Sequence, residues 1–315
     1  MYAKYSNFHK SSNNLCIFGA VIIRCKGFIL FKFRQITTDN QAVKGFPKVS
    51  DIAALLVLFF AGNIISGVIA GFMPTLLADL PVAQRNMYLY GGSMLIALLL
   101  MWGYARIRGS KVAIFRYHFH WLNTSAVLWG VVAIAAIGII EEPLLSLMPE
   151  EWLESVMQQI GTGAYAICTT VILAPIFEEL IFRGVLLGNI RRRWGSLRAV
   201  FFSSLIFGAI HLIPQQVVNA FLVGIIIGGI YVMTDSILAV ITLHAVNNAL
   251  SYVLSATNPD GDGTLRSIVT DDVTYWSIYA VCVLFLSVSF ALIMRRYRRV
   301  RKARQSNKTA SEGVK

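Results

Sequence analysis

The segment 171–193, VILAPIFEELIFRGVLLGNIRRR, is apolar except for Glu178, Glu179 and Arg183 in its middle and a basic end. Further along, His211 follows Phe207 by four residues, and His244 precedes Asn248 by four. Ionisable groups inside apolar, membrane-length stretches are costly to desolvate and mark functional sites by default. Spacing separates their roles. Glu179 and Arg183 are four apart, share a helix face and can pair, which offsets the cost of burying each. Glu178 is rotated from that pair by roughly 100° and has no partner on its own helix, so it is the candidate general base for activating water. Pro175, three residues earlier, removes a helix hydrogen bond and loosens the turn beside the acid. His211 can position a water or bind a metal. His244 and Asn248 can donate hydrogen bonds to a developing oxyanion, with Asn247 a competitor for the second place. No Ser or Cys is placed as a nucleophile, so the set points to water-mediated amide hydrolysis.

These residues must meet at one depth. A turn near Trp194–Gly195 makes a hairpin of the fourth and fifth apolar segments. Glu178 lies seventeen residues before Gly195 and His211 sixteen after it. At about 1.5 Å per residue, antiparallel helices bring them to similar height. His244 and Asn248 share one face of the seventh segment at comparable depth. Phe207 reads as a packing wall, and Glu179 with Arg183 as support.

The elements that carry them are membrane helices. Of 315 residues, 56% are hydrophobic and only 14% charged, against roughly 25% charged in soluble domains. Apolar runs recur at the length that crosses a bilayer, and bilayers admit only helices and closed barrels. The expected fold is therefore all-α, a polytopic transmembrane bundle of about eight spans. They lie near residues 52–73, 88–104, 126–140, 163–190, 199–213, 217–233, 236–254 and 275–294. Gly224 and Gly228 make a small face for close helix packing. The outside loop 143–163 reads as an amphipathic surface helix with Trp152, Leu153, Val156 and Met157 on one side.

Net charge is +12, but the basic residues flank spans, which is topology determination rather than nucleic-acid binding. Arg106, Arg108, Lys111 and Arg116 follow the second span, and Arg191, Arg192, Arg193 and Arg198 the fourth. The basic N-terminal segment and tail complete the cytoplasmic set. The outside loops hold Arg85 and Arg266, and gather Glu141, Glu142, Glu150, Glu151, Glu154, Asp260, Asp262, Asp271 and Asp272. Both termini are expected to face the cytoplasm. The domain reading is a basic segment 1–50 (interfacial or disordered), a transmembrane protease-like domain 51–294 with its motif core at 163–254, and a basic tail 295–315. No signal peptide is convincing. Cys16, Cys25, Cys168 and Cys282 form no C-x-x-C pair, so they suggest neither a zinc cage nor a redox pair. His118 and His120 read as interfacial and His9 as solvated.

In order, E-E-x-x-x-R (Glu178, Glu179, Arg183), F-x-x-x-H (Phe207, His211) and H-x-x-x-N (His244, Asn248) resemble the CPBP family. This family comprises the CAAX prenyl proteases and bacteriocin-processing proteins, also called the Abi family. The resemblance covers about residues 163–254. It implies an intramembrane endopeptidase in which Glu178, assisted by His211, activates water, while His244 and Asn248 stabilise the oxyanion. The family is described as metalloprotease. The sequence lacks H-E-x-x-H, so a metal-free glutamate mechanism with no required cofactor is preferred. If zinc is bound, its ligands would be Glu178, His211 and His244.

The expected partners are a membrane-associated peptide or protein and the lipid bilayer. The expected location is a bacterial inner or plasma membrane, with the site open to the cytoplasm. The resemblance suggests a prenylated C-terminus, a leader peptide or a membrane-anchored regulator as substrate, and no residue selects among them; oligomeric state is equally open. Two other classes use the same residues: a transporter or proton relay, and a non-enzymatic scaffold or immunity protein. Transporters often carry internal repeats, and none is seen here.

Overall fold

The computed structural model describes residues 46–72, 79–110, 124–149, 163–257 and 264–312. The expectations for His9, Cys16, Cys25, His118, His120 and the surface helix at 143–163 fall wholly or largely outside these residues, as does most of the basic N-terminal segment. The described residues are helical, with no strand among them. The helices are α1 (Val49–Gly71), α2 (Val82–Ile107), α3 (Thr124–Leu145), a long composite rod α4 (164–194), α5 (Ser196–Ala209), α6 (Pro214–Thr234), α7 (Ile237–Thr257), a short α8 (Leu265–Ile268) and α9 (Asp272–Glu312). Compactness divides the chain into Phe33–Val283 and a second unit of Met1–Lys32 with Leu284–Lys315. The described part of the second unit is the later portion of α9. The site lies wholly in the first.

Among the described residues, six helices are long and apolar enough to cross a membrane: α1, α2, α3, α6, α7 and the apolar first part of α9. All of them but α6 carry exposed large apolar side chains. Examples are Val57, Ile64 and Val68 on α1, Leu95 and Leu99 on α2, Leu128 and Val132 on α3, and Leu250 and Val253 on α7. An apolar coat this extensive is sustained by lipid rather than water. The chain is an integral membrane protein with a polytopic helical bundle.

The expected fourth and fifth spans differ from regular crossing helices. α4 is helical throughout but alternates α and wide π turns: the π stretches are Cys168–Leu173 and Leu180–Leu187, on either side of the α segment Ala174–Glu179. α5 has 14 residues, roughly 21 Å at the α-helical rise, against ~30 Å of hydrocarbon. It ends before His211. Gly195, at φ 84°, makes the sharp turn between α4 and α5, a conformation open to glycine without steric cost.

Small residues set the packing. A Cβ on Gly62 of α1 would meet the backbone of Ala97 on α2 at 2.6 Å, so these two helices touch through their main chains. On α6, a Cβ on Gly224 would sit 3.1 Å from Ser204, and one on Gly228 would sit 3.4 Å from Leu187 and Val200. The small face expected from the sequence thus packs on α5 and the end of α4.

The acidic pair Glu141 and Glu142 corrects the loop assignment. α3 continues through both residues to Leu145, with Pro143 inside it. Glu141 is buried and accepts a hydrogen bond from Asn219 Nδ2 of α6 at 2.5 Å. Glu142 accepts from the backbone N–H of Leu265 and, at 3.2 Å, from the hydroxyl of Tyr275. One carboxylate ties α3 to α6, and the other ties α3 to α8 and the start of α9. Charge counting assigns such residues to a loop; their hydrogen bonds place them in the bundle.

Candidate active site

The α segment Ala174–Glu179 begins where a wide turn gives out. In the π stretch each N–H reaches five residues back, and the N–H of Ala174 bonds the carbonyl of Thr169. The next residue, Pro175, has no N–H to give, which leaves the carbonyl of Thr170 without its backbone donor. Asn248 Nδ2 donates to that oxygen at 2.8 Å. A residue expected to face the reacting group thus closes a gap that proline opens in the neighbouring helix. Wide π turns are frequent at functional sites because they re-aim the side chains around them. Here they bracket Glu178 and Glu179.

The two carboxylates point to different neighbours, as adjacent helical positions must. Glu179 and Arg183 are both fully buried. Arg183 Nη1 donates to Glu179 Oε1 at 2.9 Å, the four-residue pairing expected from spacing. The guanidinium also lies 4.7 Å from the centre of the Phe207 ring and donates to the carbonyl of Gly224 at 3.4 Å. Phe207 is thereby more than a wall: its face takes the cation and its ring packs edge-on against both imidazoles. His244 Nδ1 lies 2.9 Å from Glu179 Oε1. A carboxylate can only accept, so Nδ1 carries the hydrogen and Nε2 turns toward Glu178. His244 Nε2 lies 3.8 Å from Glu178 Oε2, beyond direct hydrogen-bond reach. Glu179 therefore acts as a hinge between Arg183 and the imidazole that faces Glu178.

Glu178 is buried but for a sliver, 9% exposed. Its Oε1 accepts a hydrogen bond from the hydroxyl of Tyr90 on α2 at 2.8 Å. Helix spacing could not find this partner, because it lies 88 residues away in the chain. Tyr88 and Tyr90 sit near the start of the second expected span, where tyrosines ordinarily mark the membrane interface.

His211 sits in the turn after α5. Its backbone N–H bonds the carbonyl of Gly208, leaving the carbonyl of Phe207 for the side chain. His211 Nδ1 donates to that carbonyl at 2.7 Å, capping the helix end and fixing the tautomer with Nε2 as acceptor. Leu212 then takes a left-handed conformation at φ 64°, and Pro214 opens α6, a position where its missing N–H costs nothing. The turn holds His211 against the Phe207 ring, 5.0 Å between ring centres. The Phe207–His244 ring distance is 5.9 Å. Both imidazoles therefore border one aromatic ring.

The structure brings together Glu178, Glu179, Arg183, Phe207, His211 and His244. Asn248 is joined to the same rod about two turns before Glu178, through Thr170, and its Oδ1 accepts from Asn247 Nδ2 at 3.2 Å. Among the described residues, no hydrogen bond links Asn248 to Glu178, His211 or His244. No three His, Cys, Asp or Glu side chains among the described residues are grouped as a metal site requires. The suggested zinc set of Glu178, His211 and His244 is therefore not found as such a group among the described residues.

Neither curated proteins nor solved structures give a match to the chain. A family described as type II CAAX prenyl endopeptidase, Rce1-like, matches residues 160–250. That segment is less than a third of the chain, yet it runs from the start of α4 into α7 and holds every site residue named above except Tyr90. Over it, the chain is similar to the CAAX-type prenyl endopeptidases.

Proposed function

We propose that the protein is a glutamate-dependent intramembrane endopeptidase that cleaves a peptide bond of a membrane-associated substrate. The observation that carries this reading is the arrangement around Glu178: one carboxylate oxygen is held by Tyr90, while the other faces His244 Nε2 across a 3.8 Å gap. A water bridging such a gap is a common arrangement for polar groups just beyond hydrogen-bond distance.

In this mechanism Glu178 takes a proton from the water as its oxygen attacks the scissile carbonyl carbon. The carbonyl oxygen becomes an oxyanion, the C–N bond then breaks, and Glu178 returns the proton to the leaving amine. His211, with Nδ1 engaged by the Phe207 carbonyl, offers Nε2 as an acceptor that helps orient the water. Asn248 spends one amide N–H on Thr170 and has a second for an oxyanion. Arg183 and Glu179 hold His244. The proposed steps call on no metal.

The family's description makes a prenylated C-terminal peptide the first substrate to try. Charge asymmetry favours both termini, and access to the site, on the cytoplasmic side of a bacterial membrane. The test reconstitutes the purified chain in liposomes with a fluorogenic peptide ending in a farnesylated tetrapeptide, beside its unprenylated twin and a leader-type peptide. Cleavage of any of them that is lost in Glu178→Gln supports the reading. Absence of cleavage, together with Glu178-dependent ion or solute flux in the same liposomes, would move the assignment to a transporter.

A further inference from the structure

Tyr90 lies on α2, outside the segment that the family matches, and its hydroxyl is aimed at the proposed base. We propose that Tyr90 is a positioning residue that decides which oxygen of Glu178 does the chemistry. The inference rests on Glu178 being the base.

The geometry is specific. The phenol donates to Oε1 at 2.8 Å, and Oε2 is the oxygen that faces His244. A glutamate carboxylate can turn about its third torsion and exchange its oxygens, and a donor fixed on another helix removes that freedom. Tyr90 is itself held. Ser93 Oγ donates to the Tyr90 carbonyl at 2.9 Å, and the next residue, Gly91, lies in ordinary contact range of Leu173 on the rod, 3.7 Å from a built Cβ. The charged or titratable groups around Glu178 are Glu179 and Arg183 on its own rod, Tyr90 on α2 and His244 on α7, with His211 beside Phe207. Tyr90 alone among them offers a neutral donor to the Oε1 side.

A buried phenol could instead donate to a convenient acceptor merely to satisfy its hydroxyl. The two roles separate in kinetics. Tyr90→Phe keeps the ring and removes the hydrogen bond. If Tyr90 positions the base, kcat for the peptide cleaved in liposomes falls ~10-fold or more, the scale of a hydrogen bond to a charged group, while KM holds. Incorporating 4-fluorophenylalanine at position 90 fills the place of the hydroxyl without offering a donor. The same fall in kcat at constant KM is expected, and it serves as the test should Tyr90→Phe fail to fold. Wild-type-like kcat in either folded variant, with Glu178→Gln inactive, overturns the role of Tyr90 and leaves the base assignment standing. An active Glu178→Gln removes both.

Discussion

Arg183→Met should be among the most destabilising single changes in the protein, and adding Glu179→Gln should undo most of that loss. Arg183 and Glu179 are both fully buried. Arg183 contributes a 2.9 Å ion pair, a 3.4 Å contact to the Gly224 carbonyl and a cation resting 4.7 Å from the Phe207 ring centre. Removing one partner of a buried pair costs ~3–5 kcal/mol, because the other charge is left without compensation. Loss of the cation over the ring adds ~0.5–2 kcal/mol, which a methionine sulfur against the same ring partly returns. The stranded group is Glu179, whose Oε2 has no hydrogen-bond partner among the described residues and whose Oε1 would keep only the bond from His244. Neutralising it removes the penalty, so Glu179→Gln/Arg183→Met should recover most of the stability. Catalysis should not follow, because an amide holds the His244 Nδ1–H less firmly than a carboxylate does. Equilibrium unfolding in mixed micelles, with cleavage measured on the same samples, reads both quantities. An Arg183→Met cost below ~1 kcal/mol, the ceiling for exposed pairs, would refute the argument. So would a double variant no more stable than the single one.

Gly62→Ala should destabilise by ~1–3 kcal/mol, because its Cβ would meet main chain that cannot rotate away, at 2.6 Å from Ala97. Gly67→Ala on the same helix meets nothing within 4 Å and should be neutral or stabilising in the same unfolding assay. Glu141→Gln preserves an acceptor for Asn219 and removes a buried charge, so cleavage and unfolding temperature should hold. Glu141→Ala should cost ~1–3 kcal/mol by stranding the Asn219 amide, and loss of activity in a folded Glu141→Gln would show that this acid takes part in the chemistry. Extended treatment with zinc chelators should leave cleavage intact, with no stoichiometric metal by elemental analysis. Loss of activity restored by added zinc would show a metal site that the described side chains do not form.

Three features of the site were legible in the sequence because they depend on local period. The Glu179–Arg183 pair follows from four-residue spacing, and the separate aim of Glu178 from its one-residue offset. The convergence of α4, the α5 end and α7 follows from hairpin depth. What local period cannot carry was hidden. Tyr90 reaches Glu178 across 88 residues of chain, and a tyrosine near the start of a span looks like an interface anchor. The first wide turn of α4 ends where Pro175 withholds a donor, and the sequence showed a loosened turn there without showing that Asn248 would fill the vacancy. His211 was expected within a regular fifth helix, and its side chain ends that helix by taking the Phe207 carbonyl. Glu141 was counted with loop acids because composition does not reveal that Asn219 waits for it on α6.

The central claim is that Glu178 is the base. Its most direct test is the single-turnover cleavage rate of Glu178→Gln against wild type in the same liposomes, with equal unfolding temperatures as the proof of folding. Gln keeps an acceptor for Tyr90 and cannot take a proton from water. The account predicts a loss of at least ~100-fold and up to ~10,000-fold, the span of general base catalysis. A folded Glu178→Gln that cleaves within a few-fold of wild type would contradict it.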